Sequence, residues 1–154
     1  MTVACIKEIL GARVLAGEEL MDREVLTACG SDLMSDVLAF VKDQTVLITG
    51  LINAQAVRTA EMMDIVCIVL VRGKIADESM IALAKERNVA VLQTECSMFT
   101  ACGLLYESGL RGGSGLRTSG GSGLRTSGES GLRTSGESET CSAEEGSKAY
   151  AGKS

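Results

Sequence analysis

From Thr45 onward the apolar residues switch between two spacings. Unbroken apolar runs lie within Thr45 to Thr49, Ile65 to Val71 and Val89 to Gln93. Between and after them, in 53–63, 77–87 and 97–106, apolar positions recur every three or four residues. The short runs predict strands and the longer stretches helices, so this part reads β-α-β-α-β-α. Strands apolar at consecutive positions are those covered on both faces, which predicts a parallel sheet between helical layers with right-handed crossovers. Asp77 is the expected N-cap of its helix and Asn88 its stop.

The first third is less regular. Val3, Ile6, Ile9 and Leu10 fall at helical spacing between a capping Thr2 and a terminating Gly11. A short extended piece from Arg13 to Ala16, a turn at Gly17-Glu18-Glu19 and a second extended piece from Val25 to Cys29 follow. Gly30-Ser31-Asp32 then opens a helix, with Ser31 or Asp32 as its cap and with Leu33, Met34, Val37, Leu38 and Val41 expected to face inward. The predicted class is α/β: a single three-layer domain with a mainly parallel sheet flanked by helices.

The pattern ends at Leu110 to Gly113. Three near-identical octapeptides follow, SGLRTSGG (114–121), SGLRTSGE (122–129) and SGLRTSGE (130–137), and a truncated copy, Ser108-Gly109-Leu110-Arg111-Gly112-Gly113, precedes them. One Leu per eight residues offers too little apolar surface to offset the entropy of ordering the chain. Residues 1–111 are therefore expected to fold as one domain and residues 112–154 to form a low-complexity, disordered tail that adds reach rather than chemistry.

Charge refines this division. Up to Arg111 there are 15 acidic and 10 basic residues, and from Gly112 onward 5 of each, so the net charge of -5 belongs to the folded part. An acidic domain whose aromatic residues are only Phe40, Phe99 and Tyr106 is poorly suited to nucleic acid, for want of both a basic surface and a stacking platform. No stretch is long and apolar enough to span a bilayer and the N-terminus carries no basic-then-apolar leader, so no membrane partner is expected and the protein is placed in the cytoplasm. Six cysteines, at 5, 29, 67, 96, 102 and 141, form no Cys-x-x-Cys pair, and the chain has no histidine. Reduced thiols, no metal site and no cofactor are the expectation.

In an open parallel sheet ligands bind beyond the carboxyl ends of the strands. Three loops lie there: Thr49-Gly50-Leu51-Ile52-Asn53, Arg72-Gly73-Lys74-Ile75 and Thr94-Glu95-Cys96-Ser97. Backbone amides near helix starts, the cations Arg72 and Lys74, and the small groups of Thr49, Gly50, Asn53, Gly73 and Thr94 make a candidate site for a small anionic metabolite or nucleotide. Neither Gly-x-Gly-x-x-Gly nor a Walker-type sequence is present, so turn formation and capping compete with that reading. Asp32 and Asp36, four apart, could hold a metal ion or act as acid and base, or simply favour the positive end of a helix. No serine of the folded part lies in a nucleophile elbow, and without histidine no catalytic residue is assigned.

Several segments resemble one family. They are the opening helix ending in Gly11, Val14-Leu15-Ala16-Gly17, Leu20-Met21-Asp22-Arg23-Glu24-Val25, Ser31-Asp32-Leu33-Met34-Ser35-Asp36-Val37-Leu38-Ala39, Val69 to Gly73, and Ser97-Met98-Phe99 through Leu110. Together they resemble the stand-alone DRTGG-domain proteins of anaerobic bacteria, across the folded part and none of the tail. The name-giving Asp-Arg-Thr-Gly-Gly is absent, since the corresponding loop reads Thr49-Gly50-Leu51-Ile52-Asn53-Ala54-Gln55. The resemblance implies a fold similar to the N-terminal domain of HPr kinase/phosphorylase and a regulatory or assembly role without kinase activity. The expectation is a non-enzymatic ligand-sensing module that forms a homo-oligomer, a dimer, through apolar helix faces; the alternative is a structural dimerisation or scaffold domain with no ligand.

Overall fold

Helix boundaries follow the caps. In the computed structural model, which describes residues 1–41 and 44–113, α1 (Val3–Ile9) starts where the Thr2 hydroxyl accepts from the Cys5 amide. Asn53 caps α3 (Ala54–Met62), Asp77 caps α4 (Glu78–Glu86) and Ser97 caps α5 (Met98–Glu107), each accepting from the amide three residues on. Gly11, Asp64, Asn88 and Gly109, just past the ends of α1, α3, α4 and α5, take left-handed backbone conformations that stop each helix. α2 (Met34–Phe40) is the exception among these, with Leu33 at its N-cap position and no side-chain cap.

The strands are β1 (Arg13–Ala16), β2 (Thr27–Gly30), β3 (Thr45–Thr49), β4 (Cys67–Leu70), β5 (Ala90–Gln93) and β6 (Arg111–Gly112). They form one sheet in the order β1-β5-β4-β3-β2-β6. Neighbours from β5 to β6 run parallel, and β1 lies antiparallel at the edge beside β5. Every residue of β3, β4 and β5 is buried, as continuous apolar runs require.

Alternate strand positions divide the core in two. On one face Val46, Ile48, Val69 and Leu92 pack with Val3, Ile6, Ala101 and Leu105 of α1 and α5. On the other, Leu47, Ile68, Leu70 and Val91 pack with Val37, Val57, Ala60 and Met80 of α2, α3 and α4. Burial of side chains such as Ile68 and Leu70, both at 0% exposure, stabilises the fold by about 1.5–3 kcal/mol each. The three-layer α/β class read from the sequence is thus the observed one.

Several local expectations differ. The turn at residues 17–19 is one turn of 3-10 helix, Glu18–Leu20. Leu33 and Leu38 do not face inward; they are 57% and 39% exposed, because α2 begins only at Met34 and turns its Met34 and Val37 to the sheet. Neither Ser31 nor Asp32 caps α2, since both lie ahead of its first turn. The Ser31 hydroxyl instead accepts from the Leu33 amide in a local turn. β6 had no counterpart in the sequence reading, for two residues leave no period to detect. The expected disorder of 112–154 falls, from residue 114 onward, outside the described residues.

Candidate functional site

The helices that follow β4 and β5 lie on opposite faces of the sheet, α4 on one and α5 on the other. A crevice between their connecting loops is therefore the topological place for a ligand. Here those loops are joined. The Arg72 amide donates to the Cys96 carbonyl and the Gly73 amide to the Thr94 carbonyl, each at 2.9 Å. Lys74 donates its own amide to Val71. Arg72 and Gly73 both adopt left-handed conformations, φ 61° and 62°, which turns the loop over the end of β5. The Glu95 carboxylate sits so close over Gly73 that any side chain there would displace it. The exposed Arg72 and Glu95 side chains flank a zipped seam.

The donors gather one strand further along. β2 and β3 are parallel neighbours, so the loops after them emerge side by side. Asp32 from the first accepts the Gly50 amide at 2.6 Å and the Thr49 hydroxyl at 3.0 Å, both through Oδ1. The Thr49 hydroxyl also accepts from the Leu51 amide. Lys74 reaches across from the β4 loop and donates to the Gly50 carbonyl at 2.7 Å. A Cβ on Gly50 would lie 3.3 Å from Asp32 Oδ1 and 3.6 Å from Lys74 Nζ. Carboxylate and ammonium thus converge on one glycine, and a side chain there would have to part them.

The seven residues singled out in the sequence separate accordingly. Thr49, Gly50 and Lys74 come together with Asp32. Arg72 and Gly73 belong to the zipped seam beside Glu95. Asn53 is engaged as the cap of α3. Thr94 is buried, with its hydroxyl donating to the Leu10 carbonyl at 2.7 Å and accepting from the Cys96 amide, which ties the β5 loop to the end of α1. Two partners escaped the sequence reading. Asp32 is read in the sequence as a helix cap or as one of a pair with Asp36, not as a partner of Thr49 and Gly50, and the signal that redirects it is the pairing of β2 with β3. Gln93 ends β5 almost fully buried, its Oε1 accepting from Arg13 Nε at 2.6 Å while its Nε2 donor has no partner among the described residues.

Acid-base or nucleophilic chemistry finds little support in these groups. Asp32 precedes α2 while Asp36 lies within it, so the two do not share a helical face. Among the described residues no three acidic or cysteine side chains converge as metal ligands would. Burial pushes the Cys67 thiol far up; Cys102 is raised by burial, and Cys29 by burial first and then by Cys102 and Asp36. Protonated thiols are poor nucleophiles. No helix of the described residues is long and apolar enough to cross a membrane.

The family model described as the DRTGG domain matches residues 5–108. No curated protein matches the sequence. Among solved structures, the chain is similar to the CBS and DRTGG domains of the regulatory region of a Clostridium perfringens pyrophosphatase, complexed with its activator diadenosine tetraphosphate. The likeness has 22% identity and a TM-score of 0.56, and covers 67% of this chain and 45% of that one. It speaks to the fold, and the present chain spans less than half of that neighbour's length.

Proposed function

We propose, from the premise that this chain belongs to the DRTGG-domain family, that it is a non-enzymatic regulatory module sensing a small phosphate-bearing ligand, a nucleotide, at the carboxyl ends of β2, β3 and β4. One observation carries the reading: the Gly50 amide and the Thr49 hydroxyl already hold an oxyanion, the Asp32 carboxylate, with Lys74 beside it. A ligand phosphate would take the place of that carboxylate, with Lys74 and Arg72 offsetting its charge. Gly73 shapes the β4 loop, while Asn53 and Thr94 hold the flanking elements. Leu33, Ile52 and Ile75, exposed at 57%, 39% and 67% on the same three loops, offer an apolar rim for a base. The nucleotide bound by the pyrophosphatase regulatory region is in keeping with this ligand class.

Competition between Asp32 and phosphate gives the test. Thermal denaturation with inorganic phosphate, AMP, ATP and diadenosine tetraphosphate is read as the shift each produces in the same variant. A nucleotide-dependent rise in melting temperature is expected, with affinity about tenfold tighter in Asp32→Ala, equivalent to ~1.4 kcal/mol, and lost in Lys74→Ala. No shift in either the parent chain or Asp32→Ala would sink the reading. A second reading, a domain that self-associates, is favoured by the exposed apolar face of α5, where Phe99 is 90% and Tyr106 61% exposed.

A further inference from the structure

Gln93 is out of keeping with its surroundings. The buried polar side chains among the described residues are four threonines and this one carboxamide, which is 3% exposed. Strand alternation turns it, with Val91, toward the α4 face of the sheet, where Leu70 of β4 and Arg13 of β1 are its partners in register. Its Oε1 accepts from Arg13 Nε at 2.6 Å, while its Nε2 is buried and has no partner among the described residues. Arg13 fixes the orientation of the carboxamide, because exchanging its two terminal atoms would set donor against donor and leave the oxygen without a proton to accept. A buried amide donor without an acceptor is costly.

Arg13 is short of acceptors as well. It stands on the edge strand of the sheet, exposed, and among the described residues no carboxylate pairs with it. Only its Nε is engaged with a side chain, which leaves the Nη atoms of the guanidinium beside an amide that also lacks an acceptor. Because Arg13 is exposed and Gln93 is not, the guanidinium lies on the solvent side of the carboxamide. Two donating groups and one positive charge, with nothing to accept, are the complement of a single oxyanion. A carboxylate, planar and singly charged, matches that set, whereas a phosphate dianion would keep an uncompensated charge against a buried strand end.

We propose that Arg13 and Gln93 form a binding site for a small free carboxylate at the β1 edge of the sheet, one carboxylate oxygen accepting from Gln93 Nε2 and the other from the Nη atoms of Arg13. Arg13 provides the entry. Swinging of this exposed side chain uncovers the amide, and the arriving anion draws the guanidinium back over it. The pair lies at the end of β5 and shares no residue with the Asp32, Thr49, Gly50 and Lys74 cluster. The site therefore stands or falls apart from the nucleotide reading of that cluster.

Acetate is the probe. In the isotope-labelled full-length chain the side-chain amide signals of Gln93, assigned through bonds, are followed as sodium acetate replaces sodium chloride at constant ionic strength. They are expected to shift saturably, with a dissociation constant on the order of 1–10 mM, and Arg13→Ala should weaken that binding by about tenfold or more. Gln93→Glu places a carboxylate oxygen where Nε2 stands and supplies Arg13 with its missing partner. It should raise the melting temperature in acetate-free buffer and remove any dependence on acetate. Signals that stay still at ~100 mM acetate, or that move alike in Arg13→Ala, would overturn the proposal. So would an amide in contact only with a bound water and indifferent to acetate, which would assign the donor to buried solvent. Arg13 is exposed, so its replacement leaves the core intact and the comparison holds even where Gln93→Glu fails to fold.

Discussion

Asp32 and Cys67 illustrate how far a residue's role depends on what the fold sets beside it. Asp32 stands where a cap belongs, and a single sequence places it at the start of a helix. Its carboxylate instead bonds to Gly50 and Thr49, 18 and 17 positions away, which becomes legible only once β2 is laid beside β3. Cys67 was readable from its apolar neighbours alone and is fully buried at the start of β4. Burial there favours the neutral thiol and raises its pKa. The sign of the resulting linkage follows directly. Folded Cys67 keeps its proton, while in the unfolded chain it ionises at about pH 8.5, so its contribution is intact below that pH and is lost as pH rises above it. Cys29 and Cys102, raised in the same direction, add to the trend. Urea midpoints between pH 7.5 and 10 should therefore fall, with Cys67 accounting for about 1.4 kcal/mol per unit above its unfolded pKa. Cys67→Ala should flatten the slope by that amount; an unchanged slope would remove Cys67 as its source.

Elements were legible wherever a period and a cap coincided. Asp77 and Asn88 bracket α4 as expected, and Asn53 and Ser97 mark the starts of α3 and α5. At Ser31-Asp32, where two cap candidates stand ahead of a helical period, the boundary moved to Leu33, because Ser31 closes a local turn and Asp32 bonds to Thr49 and Gly50. The contact between β2 and α5 was invisible for a different reason: it depends on a residue with no side chain. Gly30 pairs with Ile48 across the sheet, and a Cβ there would come within 2.7 Å of the Cys102 sulfur on α5. Gly30→Ala should thus force strand and helix apart and cost about 1–3 kcal/mol. Cys102→Ala removes the obstructing sulfur, so the double variant should recover most of that loss in a double-mutant cycle of denaturation midpoints. Strict additivity of the two substitutions would show that the helix adjusts freely and that this contact sets no distance.

The β-α-β-α-β-α core and its two covered faces followed from the sequence because local patterns alone dictate a buried parallel sheet. The placement of β1 antiparallel beside β5, and of β2 and β6 at the opposite side, did not follow, because pairing partners are chosen by crossovers that composition does not encode. That arrangement puts α5 on the face opposite α2, α3 and α4 and leaves its outer side uncovered by any other described helix, with Arg111 of β6 lying over the Tyr106 ring at one end. Phe99, Gly103 and Tyr106 fall four and three residues apart, on one stripe of the helix, and a Cβ on Gly103 would meet nothing within 4 Å. Two large aromatic rings with a glycine between them allow another helix to approach closely, and a second copy of the same stripe run antiparallel brings ring against glycine twice. Phe99, being 90% exposed, contributes little to its own core. Phe99→Ser is accordingly expected to leave the melting temperature of the dilute chain unchanged while shifting sedimentation at micromolar concentration from dimer toward monomer. A parent chain that sediments as a monomer throughout that range, or a variant that associates as the parent does, would mean that this face is not where copies meet.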